Sequence, residues 1–316
     1  MNTIKILFIF VCFLFLLLIS FDLNLISSLP NGDFFTYVYQ WSILSIDKSE
    51  VFNYTEGLNL KELFYFSRKL LWKTFVFFYL SLVSENRAQS INLEYLRVFV
   101  GALLLTSIII QRPKKLIFLS IISFFTVILF KPFTFMISDW LRQSLALALY
   151  LFYIKSRISM RNLKDQSQSS LIMGILSLLM HLSFVPSLLI VESSLRSKFI
   201  YKIFKKSLIY FLVLSLLLII FDIGNGNDLT KITLFLLSFI IITYYKEKND
   251  NKSLITYSSI ILPFVFYSNL FDTAGLTLRS FGVIVPVILI FISDIFTDFN
   301  SSYINKYQES RKILND

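Results

Sequence analysis

The chain has 316 residues, 56% of them hydrophobic and 16% charged, with a formal net charge of +10. A domain folded in water normally carries about a quarter charged residues, so the composition argues against an ordinary water-exposed globule and for an all-α, polytopic integral membrane protein. One histidine and one cysteine exclude an intrachain disulfide, an HExxH centre and a His-rich zinc site.

The N-terminus carries Lys5 and then a long apolar run that includes Cys12. No small-x-small cleavage site follows, because the run ends in Phe21, Asp22, Leu23 and Asn24, so an uncleaved first span is expected. Ten apolar segments lie roughly at 4–21, 64–83, 93–110, 116–131, 138–155, 170–190, 208–222, 229–245, 254–270 and 279–296. A crossing helix needs about 20 apolar residues, so the shorter segments are expected to extend into their flanks. Backbone hydrogen bonding in hydrocarbon favours helices throughout. Segment 64–83 holds Arg68, Lys69 and Lys73, and either spans or lies in the interface as an amphipathic helix. The expected architecture is a GT-C-like or Wzy-like bundle of about nine to ten helical segments. It forms a single transmembrane domain over 1–316, with the external connector 22–62 contributing to the site.

Connector charge sets the expected sidedness. The connector 22–62 carries six carboxylates against Lys48 and Lys61, which places it outside. Arg112, Lys114 and Lys115 place 111–115 inside, as do Lys155, Arg157, Arg161 and Lys164 for 155–169. Lys246, Lys248 and Lys252 mark 246–253 as inside, and the tail after 296 follows. The basic stretch 192–207 conflicts with this alternation. A re-entrant 170–190 broken around Pro186 resolves the conflict, and an external basic surface helix is the other option. No basic helix interleaved with exposed aromatics lies outside the apolar segments, so nucleic acid is not an expected partner.

Four polar residues on or between the apolar segments stand out, Asp33, Arg142, His181 and Arg279, because ionisable groups near lipid are costly and usually face a cavity. Arg142 and Arg279 each start an apolar helix, at its predicted outer end. Each either reaches to headgroups or offers a forked donor to phosphate or diphosphate, and together they suit one diphosphate. His181 is either a hydrogen-bonded packing residue or a group that handles a proton. Pro186 is expected to strip the Leu182 carbonyl of its helical donor and to kink the segment. Asp33 follows an Asn-Gly turn and precedes a run of aromatics that includes Tyr37. Asp33 or Glu56 deprotonates an acceptor hydroxyl, or one of them only orients Arg142.

These residues carry a family resemblance. Leu141-Arg142-Gln143-Ser144-Leu145-Ala146, followed by Leu179-Met180-His181-Leu182-Ser183, resembles the arginine helix and later histidine of the EpsG family of Wzy-like membrane polysaccharide polymerases. Asn31 to Trp41 resembles its early acidic–aromatic motif, Thr55-Glu56-Gly57 its glutamate–glycine turn, and Arg279 its late arginine. A proline beside the glutamate and a tyrosine-rich stretch after the late arginine, both common in the family, are missing here.

The resemblance implies a glycosyltransferase that joins undecaprenyl-diphosphate-linked repeat units at the outer face of the bacterial cytoplasmic membrane. The product would be a capsule, an exopolysaccharide or an O-antigen. Asp33, Glu56, Arg142 and His181 would be catalytic, and Tyr37, Arg142 and Arg279 would bind substrate. No cofactor or metal is implied. Partners would be lipid-linked glycans, membrane lipids, and the chain-length regulator and flippase of the same pathway. The competing readings are a flippase or exporter of lipid-linked glycan, a membrane acyltransferase that modifies polysaccharide, and a purely structural subunit.

Overall fold

Prolines and capping residues decide where the chain turns in the computed structural model, which describes residues 3–23, 25–26, 89–138, 140–159, 168–220, 228–270, 279–296 and 298. Eleven helices are seen among these residues. The first part of the chain gives α1 (Thr3–Asp22), α2 (Gln89–Ile109), α3 (Leu116–Leu129), α4 (Lys131–Ser138) and α5 (Leu141–Ser159). The second part gives α6 (Gln168–Met180), α7 (Val185–Arg196), α8 (Lys198–Ile220), α9 (Asp228–Glu247), α10 (Asn251–Leu270) and α11 (Arg279–Phe296).

The core lies where α2, α5, α10 and α11 bury one face each. Leu104, Leu105 and Ile108 of α2, Leu147 and Leu151 of α5, Ile260 and Ile261 of α10, and Ile284 and Ile290 of α11 are fully buried. Each such side chain contributes about 1.5–3 kcal/mol. Burial at Ile9, Phe13 and Leu17 recurs every fourth residue on α1, which turns one stripe inward against α2. Its other faces leave Ile4, Phe8 and Phe15 exposed.

Pro113 makes an elbow. Its ring disfavours helical geometry at the preceding residue, and Arg112 sits at φ −131°, ψ 70°. The helical segments on either side diverge by 107°. Between α9 and α10 the turn is closed by Asn249 at φ 52°, a left-handed position that asparagine tolerates. Asn249 N–H donates to the Lys246 carbonyl and Asp250 N–H to that of Tyr245, the pattern of a Schellman cap. Asp250 Oδ1 then accepts the Ser253 N–H at 3.1 Å and starts α10.

The expectation for 170–190 needs a correction. The break falls at His181, before a short 3-10 turn over Leu182–Phe184, and Pro186 sits in the first turn of α7 rather than inside a kinked helix. The Leu182 carbonyl accepts the Val185 N–H, so it keeps a donor. α5 and α7 are tied by ions: Glu192 receives Arg157 Nε at 2.9 Å and Nη2 at 3.0 Å, and the Tyr153 hydroxyl at 2.6 Å.

The multi-pass bundle of nine to ten crossing segments is also corrected. Among the described residues two helices, α1 and α11, are long and apolar enough to cross a membrane, or three if the bent pair at Pro113 counts as one span. The reason lies in length and polarity. α3, α4, α6 and α7 have 14, 8, 13 and 12 residues, short of the required run of about 20. α5 carries Arg142, Lys155 and Arg157, and α9 carries Asp228, Lys231, Lys246 and Glu247. α10 buries Ser253, Thr256, Ser258 and Ser259 along its length. Segment 64–83 and the connector 27–62 lie outside the described residues.

Two outcomes follow from this packing. A β-carbon added at Gly282 would meet the Pro132 carbonyl oxygen at 2.9 Å and Met136 Cγ at 2.7 Å. Gly282→Ala should therefore lower stability by about 1–3 kcal/mol in chemical denaturation, although the same change normally strengthens a helix. Burial pushes the Glu192 carboxyl up, but the Arg157 and Tyr153 hydrogen bonds outweigh it and hold it below the ordinary carboxylate range. Its contribution to stability is thus complete above that range and is lost as pH falls through the depressed value. Denaturation at a series of pH values should show a shallower acid-side loss for Glu192→Gln than for the parent.

Candidate functional site

Cations from three separate connectors meet at one end of the helices. They line a cavity of about 380 Å³. The Pro113 elbow supplies Gln111, Arg112 and Lys115, and the last turns of α5 supply Lys155. The α9–α10 turn supplies Lys248, Asp250, Lys252 and Ser253, with Tyr245 and Tyr257 as the buried aromatic wall. Asp294, near the end of α11, and Asp298 complete the lining.

Asp294 is the hub. Arg112 grips it with two prongs, Nε to Oδ1 at 2.8 Å and Nη2 to Oδ2 at 2.7 Å, a charge-assisted fork. Lys115 Nζ reaches Oδ1 at 2.9 Å, and the Tyr245 hydroxyl donates to Oδ2 at 2.7 Å. Lys115 also donates to the Ser293 carbonyl at 2.7 Å, and Arg112 Nη2 to the Ser253 hydroxyl at 3.1 Å. Asp298 takes the Tyr244 hydroxyl and Lys248. All three carboxylates of the cavity therefore already hold donors.

The cation set is larger. Five cationic side chains face those three carboxylates. Lys155 Nζ donates to a neutral acceptor, the Gln111 carbonyl, at 3.1 Å. Burial lowers the pKa of its ammonium, and repulsion from Arg112 lowers it further. Gln111 is itself fixed, its amide donating to the Ser107 carbonyl at 3.0 Å and the Leu151 carbonyl at 2.9 Å. The formal charge left over in the lining is positive.

The residues singled out from the sequence lie elsewhere. Arg142 occupies the first turn of α5, and its Nε is buried without a hydrogen-bond partner. Arg279 opens α11, with its guanidinium carbon 5.5 Å from the centre of the Trp140 ring. Trp140 directly precedes α5, so this contact brings the start of α11 beside the start of α5. His181 Nδ1 lies 2.5 Å from the Ser183 hydroxyl and accepts the Ser183 N–H, which makes the ring a cap for the 3-10 turn. The Ser177 hydroxyl donates to the Ala146 carbonyl at 2.8 Å, which sets the His181 end of α6 beside the start of α5. Arg142, His181 and Arg279 thus share one end of the fold. Helix rise puts that end about 20 Å from the cavity along α5 and α11. Asp33, Tyr37 and Glu56 lie outside the described residues.

Sequence reasoning missed Asp294 and the joint role of Arg112, Lys115, Lys155, Lys248 and Lys252. A signal was present: a lone aspartate inside an apolar helix, and three cationic connectors assigned to the same side. Among the described residues no group of three or more His, Cys, Asp or Glu side chains could hold a metal ion.

Removal of the hub carboxylate tests its weight. Asp294→Asn leaves Arg112 and Lys115 without a charged acceptor and should lower stability by about 1.5–3 kcal/mol in urea denaturation.

No family model, no curated protein and no solved structure matches the chain. The resemblance to EpsG-like polymerases is corrected accordingly. Among the described residues two helices, or three if the bent pair counts as one span, are of crossing length, which is not the multi-pass body that the resemblance implies. The glycosyltransferase activity, the lipid-linked glycan, membrane-lipid and pathway-protein partners, and the multi-pass placement in a bacterial cytoplasmic membrane were inferred from that body. They are withdrawn with it.

Proposed function

We propose that this chain is a binding protein for a small dianion of the phosphate-monoester class, held in the cavity between the Pro113 elbow and the α9–α10 turn. One observation carries the reading: five cationic side chains surround a cavity whose three carboxylates are already engaged. The surplus of positive charge matches two negative charges on a ligand. The volume lies within the range of about 300–1,000 Å³ typical of small-molecule sites. Lys155 on the last turns of α5 and Lys252 at the start of α10 supply the contacts, while Arg112 and Lys115 keep their grip on Asp294. The described lining contains no histidine or cysteine, and its carboxylates serve as acceptors for neighbouring cations. That composition favours holding an anion over transforming it.

The test is calorimetric titration of the full chain with inorganic sulfate, which stays doubly charged across the neutral and alkaline range. Lys155→Gln and Lys252→Gln should each weaken binding about tenfold, equivalent to about 1.4 kcal/mol. An anion favours the protonated form of Lys155, so affinity should hold steady below the lowered lysine value and fall as pH rises through it. Lys155→Gln should flatten that decline. Sulfate affinity indifferent to both substitutions would overturn the reading.

A further inference from the structure

A second cavity, of about 640 Å³, runs between α1 and α3. Phe8, Cys12 and Leu16 form one wall, and Ile121 and Phe125 form the other. Lys5 is the single charged residue in the lining. It stands at the end of the groove where α1 begins, and Leu116, the first residue of α3, also lines the groove. Lys5 has no ion pair or hydrogen bond among the described residues. The polar group within the groove, the Ser120 hydroxyl, donates to the Leu116 carbonyl of its own helix at 2.6 Å. From Lys5 to Leu16 the groove extends about 16 Å along α1, close to the reach of an extended chain of about a dozen methylenes.

An apolar slot with a cation at one end is complementary to a single-tailed anionic amphiphile. We propose that the α1–α3 groove binds a free long-chain carboxylate, a fatty acid anion of about twelve to fourteen carbons. Its tail lies along Phe8, Cys12 and Leu16, and its carboxylate meets Lys5. The site is separate from the dianion cavity and rests on different residues. The two are distinguished by ligand, since sulfate carries no tail.

The experiment is photolabelling of the full chain with a diazirine derivative of dodecanoate, with the labelled peptides mapped by mass spectrometry. Label should concentrate on residues 3–22 and 116–129. Competition by octanoate, decanoate and dodecanoate should strengthen about fourfold per methylene, and dodecyltrimethylammonium should compete at least tenfold more weakly than dodecanoate. Cys12→Trp fills the slot from an exposed position and should abolish labelling, with helicity by circular dichroism unchanged. Lys5→Glu should reduce labelling at least tenfold. Label spread evenly over the other apolar faces would overturn the proposal. So would equal competition by the cationic amphiphile, or stronger competition by a two-tailed phospholipid than by dodecanoate.

Discussion

Asp294 holds together elements that the chain otherwise sends in different directions. Its two oxygens receive Arg112, Lys115 and Tyr245, and so join the Pro113 elbow, the end of α9 and the end of α11. A buried carboxylate in the last turn of an apolar helix would be costly alone. Two cations and a phenol hydroxyl repay its desolvation, and the geometry is good enough for the pairing to persist. The polar wall of the dianion cavity is a by-product of that arrangement. Once the acids are engaged with their neighbours, the remaining ammonium groups at the rim define the local field.

Several helix flanks among the described residues are of the opposite character. Ile4, Phe8, Ile117, Leu129 and Tyr210 are more than two-thirds exposed. The packing beneath is close. Gly101 and Gly174 let helices approach where even a methyl group would press on Ile137 or on Tyr153. Tyr150, Tyr153, Tyr245 and Tyr257 are buried with their hydroxyls directed to polar neighbours such as Ser259, Glu192 and Asp294. Polar satisfaction thus runs through the centre of the fold as well as its end.

Individual helices were legible in the sequence, whereas their assembly was not. The apolar run after Lys5 and the run from Leu116 stand close to where the sequence places them, because burial periodicity and Pro113 act locally. The segment 170–190 was misread because Pro186 was taken as a kink, when proline is equally at home in a first helical turn. Hydropathy summed along the chain also overstated the number of crossing segments. It counts serine, threonine and tyrosine in α10 or the charges of α5 only as interruptions, although they face partners on neighbouring helices. Charge counting had gathered Arg112, Lys155 and Lys248 into connectors of one side, which is the hint that they meet. Asp294 escaped because a single aspartate near the end of an apolar run gives no sign of which distant cations it will receive.

The indole of Trp140 stands between the starts of α5 and α11, with the Arg279 guanidinium 5.5 Å from its ring. A cation over the face of an indole perturbs its excited state, and that influence decays steeply with separation. With Trp41 and Trp72 replaced by phenylalanine, emission from this side chain becomes an internal gauge of the spacing between two helix origins, far from the charged rim.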